Sequence, residues 1–297
     1  MVAVGPPRLA TPSSSKNTDA YFKTLKNYNS FAKANSSRKK VLYVGANNGI
    51  LHAFDANTGQ ELWGFVPPLL AGNLPLMINT DLNTSKEGGS NAIYGVDGSP
   101  VVSNLFIQSP LRLAGSKQWR TILMIPYGRG GAGFSVLDVT NPDKPVHFYS
   151  IYNDKDNKKV HVLIARTNVK SYDYGSVPSE YDYTKLGQTW SSPRITRIPN
   201  SGAGDTVLDD DLNVAIMGGG YDDTDEATGS NLTIVNLDNL GKINKVIPLN
   251  NITNNNITNS APSTPLVLTP DTVGDSNIYR GALVSVSYTH LTLPTNC

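Results

Sequence analysis

Short apolar runs separated by turn-forming residues are the dominant pattern in this sequence. Three such runs follow one another between residues 41 and 66, and each contains β-branched or aromatic residues. The segments between them contain Asn and Gly, which tolerate the positive φ angles of tight hairpin turns. We therefore predict three antiparallel strands at Val41–Gly45, Ile50–Asp55 and Glu61–Val66. Such a meander cannot bury its faces alone, so the chain is expected to repeat it.

The same order of elements recurs along the chain. Each later copy begins with Ser-Pro or Thr-Pro before a strand, and the second and third copies continue through a Gly-rich turn to a strand that ends near Asp. Proline fits the first residue of a strand, where the missing ladder donor costs least. The predicted strands of the second copy are Val101–Val102, Trp119–Ile125, Phe134–Asp138 and Pro145–Tyr149. Those of the third copy are Thr189–Ile195, Asn213–Met217, Leu232–Asp238 and Lys245–Leu249. A fourth copy begins at Ser260–Val267 and continues at Ile278–Val284.

This repetition predicts an all-β fold in which four-stranded blades pack radially as a β-propeller. The copies are farther apart than the ~40–50 residues of compact blades, so long insertions are expected, among them a polar one at 152–186. Three copies and the beginning of a fourth cannot close a ring. We therefore predict a partial β-propeller with quinoprotein-like four-stranded blades and long insertions.

The repeats divide the chain into three parts. Residues 1–40 form a lead-in, in which Tyr21, Phe22, Leu25, Tyr28 and Phe31 recur at a spacing that predicts a short amphipathic helix. Residues 41–285 form the partial propeller. Residues 286–297 are set apart as a C-terminal segment of a different kind.

That C-terminal segment resembles a translated transposase sequencing adapter. The resemblance lies in Val286–Thr295, and it implies that residues 286–297 are not native and that the natural chain continues after about Ser285. The alternative is a real β-strand, since residues 291–293 read Leu-Thr-Leu. On the adapter interpretation Cys297 and His290 are not native residues.

Composition narrows the function classes. The formal charge of +1 offers no field that would attract nucleic acid or an anionic membrane. No apolar run approaches the ~20 residues of a membrane-spanning helix, and no signal-peptide pattern appears at the start. The one cysteine is Cys297, which excludes disulfides within the chain and a cysteine-based zinc site.

An ordered series of motifs resembles the PilC/PilY-type type IV pilus biogenesis proteins. The series starts at Tyr43–Asp55 (YVGANNGILHAFD) and continues through Val96–Pro100 (VDGSP). It then includes Gly130–Phe134 (GGAGF), Leu186–Pro193 (LGQTWSSP) and Gly219–Tyr221 (GGY). The resemblance spans about residues 1–285, and its specificity lies in the order of the series rather than in any one motif.

The resemblance implies a calcium-associated β-propeller that serves pilus assembly, control of retraction and surface adhesion. It implies an exported protein at the pilus tip, cell surface or outer membrane. The expected partners are pilins, minor pilins, and host or abiotic surfaces, and no enzymatic activity is expected. The alternatives are the propeller of a pyrroloquinoline-quinone-dependent dehydrogenase, whose repeats have similar letters, and a scaffold propeller for outer-membrane protein assembly.

Calcium is the cofactor that the family's acidic propeller loop implies. The corresponding residues here are Asp271, Asp275 and Asn277, although Val273 stands where a second oxygen ligand belongs. The alternative is a plain turn. A second acidic cluster contains Asp222, Asp223 and Asp225, for which a solvated charged turn is the alternative.

Other motifs favour structural roles. Gly128–Gly133 matches G-x-G-x-x-G in letters, but a nucleotide site needs a helix after the turn and a strand is predicted there. His52, His147 and His161 are isolated in the sequence. Trp63, Trp119 and Trp190 are expected to pack between blades.

Overall fold

The structure is a computed structural model whose strands form four antiparallel sheets. It describes residues 1–10, 18–77, 94–110, 115–165, 168–200, 211–222, 228–249, 259–268 and 283–285. The first sheet contains β1 (Val2–Val4), β2 (Val41–Gly45), β3 (Leu51–Asp55) and β4 (Glu61–Phe65). The second contains β5 (Val101–Ile107), β6 (Gln118–Pro126), β7 (Gly133–Asp138), β8 (Val146–Asp154), β9 (Lys159–Ile164) and β10 (Asn168–Asp173). The third contains β11 (Arg194–Ile198), β12 (Leu212–Gly218), β13 (Asn231–Asn236) and β14 (Lys242–Pro248), and the fourth pairs β15 (Leu266–Leu268) with β16 (Leu283–Ser285).

These sheets confirm the predicted propeller blades, which we number 1 to 4. Strand order follows chain order within each blade, and the described sheets remain separate rather than closing into a ring. The number of strands in blade 2 differs from the prediction, because β9 and β10 lie within the predicted polar insertion and extend that sheet to six strands. The insertion was misjudged because exposed strand residues are polar, and β10 is exposed along almost its whole length.

The three complete blades share one local design. In each blade the third strand ends at Asp55, Asp138 or Asn236, and the side-chain Oδ1 of that residue accepts a hydrogen bond from the backbone N–H two residues later. A β-bulge falls at the same place in each third strand, one to two residues before this turn. The strand predicted to end at Asp238 therefore ends at Asn236, because an amide oxygen serves the turn as well as a carboxylate oxygen.

Blade 2 is buried on both faces, and β6 shows how. Leu123 and Ile125 pack with blade 1, in a core that includes Tyr43. Ile122 and Met124 point the other way and pack with blade 3, in a core that includes Met217. Alternate residues of a strand point to opposite faces, so a strand between two neighbours is apolar throughout.

Strands β1, β5 and β11 are the first strands of blades 1, 2 and 3, and β5 contacts both β1 and β11. The first strand is therefore the innermost strand of each of these blades. Strand β1 belongs to the lead-in, yet Val2–Val4 pairs antiparallel with residues 41–43 of β2 and completes blade 1. The lead-in also contains α1 (Thr18–Leu25) and α2 (Tyr28–Ala34), separated by Asn27 with a left-handed φ of 50°. The helical prediction is therefore confirmed, although two helices form instead of one. Within the described residues, 3₁₀ helices cover Pro68–Met77 and Ser179–Tyr181.

Several predictions fall outside the described residues. They concern the adapter-like segment at 286–297, and the candidate metal ligands Asp271, Asp275, Asn277, Asp223 and Asp225. The division at residue 40 between lead-in and propeller stays a prediction, although β1 pairs across it.

Candidate functional site

The two ends of the blades are built differently, and we name them for what they contain. The glycine-turn end carries the turns between the second and third strands of each blade, such as residues 46–50, 127–132 and, in blade 3, the described residues 219–222 and 228–230. The helical end carries the longer connections between the first and second strands, including α1 and α2. Both ends follow from antiparallel order, since alternate connections of a meander lie at opposite ends.

At the glycine-turn end, the turn of one blade contacts the segment that leads into the next blade. The N–H of Gly128 in blade 2 donates to the carbonyl of Thr189 ahead of blade 3, at 3.2 Å. The N–H of Gly220 in blade 3 likewise donates to the carbonyl of Ala261 ahead of blade 4, at 3.3 Å. Each blade is thus hydrogen-bonded through its backbone to the next.

Glycine is required here because two backbones touch. A Cβ at Gly45 would lie 1.8 Å from the carbonyl oxygen of Val96, and one at Gly130 would lie 2.1 Å from that of Gly95. Real Cβ atoms do not approach so closely, so any side chain would separate the blades. The run Gly128–Gly133 is followed by β7, a strand, which confirms that its G-x-G-x-x-G letters belong to a hairpin.

A buried polar chain lies beside this end, between blades 1 and 2. The Tyr127 hydroxyl is 2.8 Å from Ser135 Oγ, which is 2.7 Å from Ser150 Oγ, which in turn is 2.8 Å from Nε2 of His147. The His147 ring stacks on Phe65 of blade 1, with ring centroids 5.8 Å apart. Burial raises the pKa of the Tyr127 hydroxyl, so this phenol stays neutral. The sequence contained no signal for the chain, because its residues come from a turn and from two different strands, β7 and β8.

At the helical end, aromatic side chains hold the two helices against blade 2. Trp119 packs edge-on against Tyr28 and Phe22, with ring centroids 4.7 and 6.0 Å apart, and its indole N–H donates to the carbonyl of Lys26 at 2.7 Å. The Tyr28 hydroxyl accepts from Asn104 of β5 at 2.7 Å. The helices are therefore attached by side chains.

Beneath the helices, a cleft of about 620 Å³ opens between the innermost strands β1, β5 and β11. Three arginines line it, Arg8, Arg38 and Arg197. Arg38 donates to Thr121 Oγ1 at 2.6 Å and to the carbonyl of Gly5, and burial lowers the pKa of its guanidinium. Arg197 lies over the Phe22 ring at 3.8 Å and donates to Asp211 at 2.8 Å. Burial lowers the pKa of Arg197 to about 10, which leaves it charged at neutral pH.

The predicted candidate residues that the structure describes have structural partners. Asp222 is nine-tenths buried and forms an ion pair with Lys155 of the β8–β9 turn. Within the described residues, no three His, Cys, Asp or Glu side chains come together as a metal-binding group. The ammonium group of Lys155 in blade 2 neutralises Asp222 in blade 3, so this ion pair joins the two blades. A role of Asp222 as a calcium ligand stays a prediction.

The histidines and tryptophans differ in their surroundings. His52 binds Glu61 at 2.7 Å and His161 binds Ser171 at 2.8 Å, so both are hydrogen-bonded on strand surfaces. Trp63 packs between blades as predicted, and its indole N–H donates to the carbonyl of Pro142 in blade 2 at 2.7 Å. The packing prediction is wrong for Trp190, whose side chain is 41% exposed.

Comparison with known proteins matches this architecture to one family. A family model described as the PilY1 beta-propeller domain matches residues 17–263, which include blades 1 to 3 except β1. The chain belongs to the PilY1 β-propeller family. This assignment confirms the resemblance inferred from the ordered motifs, and the match begins within the lead-in rather than at the first predicted blade strand.

Two curated relatives of this PilY1-family chain carry the same name. A type IV pilus biogenesis factor PilY1 homolog of Xylella fastidiosa is 38% identical over 134 residues, which are 45% of this chain and 10% of that protein. The type IV pilus biogenesis factor PilY1 of Pseudomonas aeruginosa PAO1 is 37% identical over 116 residues, or 39% of this chain and 9% of that protein. The matches therefore span about a tenth of the relatives' length.

A solved structure supports the fold. The crystal structure of the Pseudomonas aeruginosa PilY1 C-terminal domain aligns with a TM-score of 0.53 over 95% of this chain and 42% of that chain, at 22% sequence identity. At this identity the likeness concerns the fold alone. Among the described residues, no helix combines the length and apolar character that crossing a membrane requires.

Proposed function

We propose that this chain is the propeller portion of a type IV pilus biogenesis factor and acts through contacts with pilins or minor pilins. The observation that carries the proposal is the continuous family match over residues 17–263, which includes the glycine turns that join the blades. The backbone hydrogen bonds between successive blades support a role in presenting surfaces. The proposed processes are pilus assembly, control of retraction and adhesion to host or abiotic surfaces, at the pilus tip, cell surface or outer membrane.

The test is genetic. In the bacterium that carries this gene, the whole gene is deleted and then restored as the wild type or with Gly45→Val or Gly72→Ala. Sheared surface pili and twitching motility are measured. We expect both to be lost on deletion and with Gly45→Val, because a side chain at Gly45 separates blades 1 and 2. The control Gly72→Ala should restore them, since a Cβ at Gly72 meets no atom within 4 Å.

The outcomes discriminate between the alternatives. Unchanged piliation after deletion would contradict the proposal. Normal pili with altered levels of outer-membrane proteins would favour the assembly scaffold instead.

We further propose that the chain is not an enzyme. The purified protein is supplied with pyrroloquinoline quinone, calcium and an alcohol, and the reduction of an acceptor dye is followed. No turnover is expected, and sustained alcohol-dependent reduction would favour the dehydrogenase.

Calcium modulation is proposed through Asp271, Asp275 and Asn277, because oxygen-rich acidic loops suit a hard cation. Calcium binding is measured by calorimetric titration of the chelator-treated chain with calcium. We expect heat of binding that Asp271→Ala removes, while Asp222→Ala leaves it, since Asp222 is ion-paired with Lys155. No heat at millimolar calcium would refute the proposal.

A further inference from the structure

Exposed aromatic and polar side chains form a row at the glycine-turn end. The row consists of Tyr94, Asp97, Arg129, Trp190 and Tyr221, all of which are exposed. The exposed fractions of Tyr94, Trp190 and Tyr221 are 45%, 41% and 43%. We call these five residues the aromatic row. Exposed aromatic side chains that gather at one end of a molecule mark a candidate binding surface, whereas singly scattered ones do not.

Backbone contacts establish the order of the row. Asp97 and Trp190 occupy the equivalent position before blades 2 and 3, three residues ahead of the proline in each case. Between them, Arg129 follows Gly128, which is bridged to Thr189, the residue before Trp190. Tyr221 is in turn bridged to Gln188. The row therefore runs Asp97, Arg129, Trp190, Tyr221 from one blade to the next on a backbone held by the glycine contacts.

Two of the rings are held in place before any ligand arrives. The guanidinium of Arg129 lies over the Tyr94 ring at 4.3 Å, and its Nη1 donates to the Tyr94 hydroxyl at 3.2 Å. The indole N–H of Trp190 donates to Oε1 of Gln188 at 3.1 Å. Such fixed rings lose little side-chain entropy on binding.

The aromatic rings of the surface are concentrated here. Among the large apolar side chains exposed in the described residues, four are aromatic, and Tyr21 is the one that lies at the helical end. Exposed aliphatic side chains such as Leu25, Val169 and Val246 lie in α1, β10 and β14 instead. The row also contains the carboxylate of Asp97, and Asp is depleted at the centre of protein interfaces.

We propose that the aromatic row binds a neutral oligosaccharide. A pyranose ring has an apolar face of C–H groups that packs on aromatic rings, and a rim of hydroxyls that both donate and accept hydrogen bonds. Asp97 supplies acceptors, Arg129 supplies donors and Gln188 supplies both. The opposite charges of Asp97 and Arg129 compensate each other, which favours an uncharged ligand. The inference rests on the adhesion part of the proposed function and assigns its ligand class.

The experiment uses the purified chain and does not depend on pili. Chitotriose, cellotriose and maltotriose are titrated separately into the wild type, with intrinsic tryptophan fluorescence and calorimetry as readouts. We expect at least one to bind and to change the fluorescence of Trp190. Trp190→Ala should weaken that binding at least tenfold, and Tyr221→Ala at least threefold. Circular dichroism of the variants should match the wild type, because both side chains are exposed.

The matched control is Tyr21→Ala, which removes an exposed ring from the helical end and should leave the affinity unchanged. The proposal is overturned if none of the three saccharides binds at 10 mM (an assay limit of about 10⁻² M, or roughly −3 kcal/mol). It is also overturned if Trp190→Ala binds the saccharide as tightly as the wild type and the control Tyr21→Ala do. Unchanged piliation in the genetic test would overturn the proposed function alone, because saccharide binding is measured without pili.

Discussion

The glycine-turn end and the helical end of this propeller are held together by different physical means. At the glycine-turn end the backbones of neighbouring blades touch, as at Gly45 and Val96, and no side chain lies between them. At the helical end Trp119, Tyr28 and Phe22 fill the space between the lead-in helices and blade 2. Backbone contact tolerates no added atom, whereas side-chain packing tolerates exchange of similar volumes. We therefore expect substitutions at the two ends to differ in how much stability they remove and in how far their effect spreads through the propeller.

The largest effect is expected at the glycine-turn end. Gly45→Ala places a Cβ 1.8 Å from the Val96 carbonyl oxygen, so blades 1 and 2 must move apart. We expect the free energy of unfolding to fall by about 3 kcal/mol. Urea denaturation followed by circular dichroism measures it. Gly72→Ala, which meets no atom within 4 Å, should change it by less than about 0.5 kcal/mol. Equal effects of the two variants would show that the close contact does not matter.

A smaller and more local effect is expected at the helical end. Trp119→Ala removes the ring that Tyr28 and Phe22 pack against, at a cost of about 2 kcal/mol for a half-buried side chain. Amide hydrogen exchange should accelerate in α1 and α2 while β12 remains protected. Trp190→Ala is the control, since its ring is exposed and its loss should not alter exchange. Uniform acceleration over all blades would mean that the helices are part of the propeller's cooperative core.

The hydrogen bond between the helical end and β5 is expected to contribute less. Tyr28→Phe keeps the ring and removes the hydroxyl that accepts from Asn104 at 2.7 Å. We expect a loss of about 1 kcal/mol, as for a typical buried hydrogen bond. The double variant with Asn104→Ala should cost little more than Asn104→Ala alone. Additive costs would show that the two side chains are not coupled.

Buried tyrosines predict the behaviour of the blades at high pH. Burial raises the pKa of Tyr181 to about 12, and it also raises the pKa values of Tyr127, Tyr149 and Tyr183. The unfolded chain releases these protons near pH 10, so the stability they contribute is complete below about pH 10 and declines as the pH rises toward and past 12. Absorbance at 295 nm should show these phenols ionising together with unfolding. Their ionisation in a chain that keeps its folded circular dichroism would contradict the assignment.

Much of the fold was predictable because its signals are local. Asn-Gly turns, prolines that open strands and short β-branched runs act within a few residues, so β2, β3 and β7 lie within one residue of their predicted bounds. The exceptions have a common cause. Strand β10 has polar residues because it is exposed on both faces, and β1 is short and lies far in sequence from its partner β2. Strand β10 lacks the apolar pattern by which strands are recognised, and β1 is apolar but too short to show one.

The sequence by itself determined the blade repeat, the glycine turns and the family, since each depends on residues close together along the chain. Only the tertiary structure decided which residues meet. It placed Leu123 and Met124 in different cores, joined Tyr127 to His147 through two serines, and left Trp190 at the surface while Trp63 was half-buried. The physical reason is that a side chain is buried by the blades on either side of it, and those blades are formed by residues far apart in the sequence.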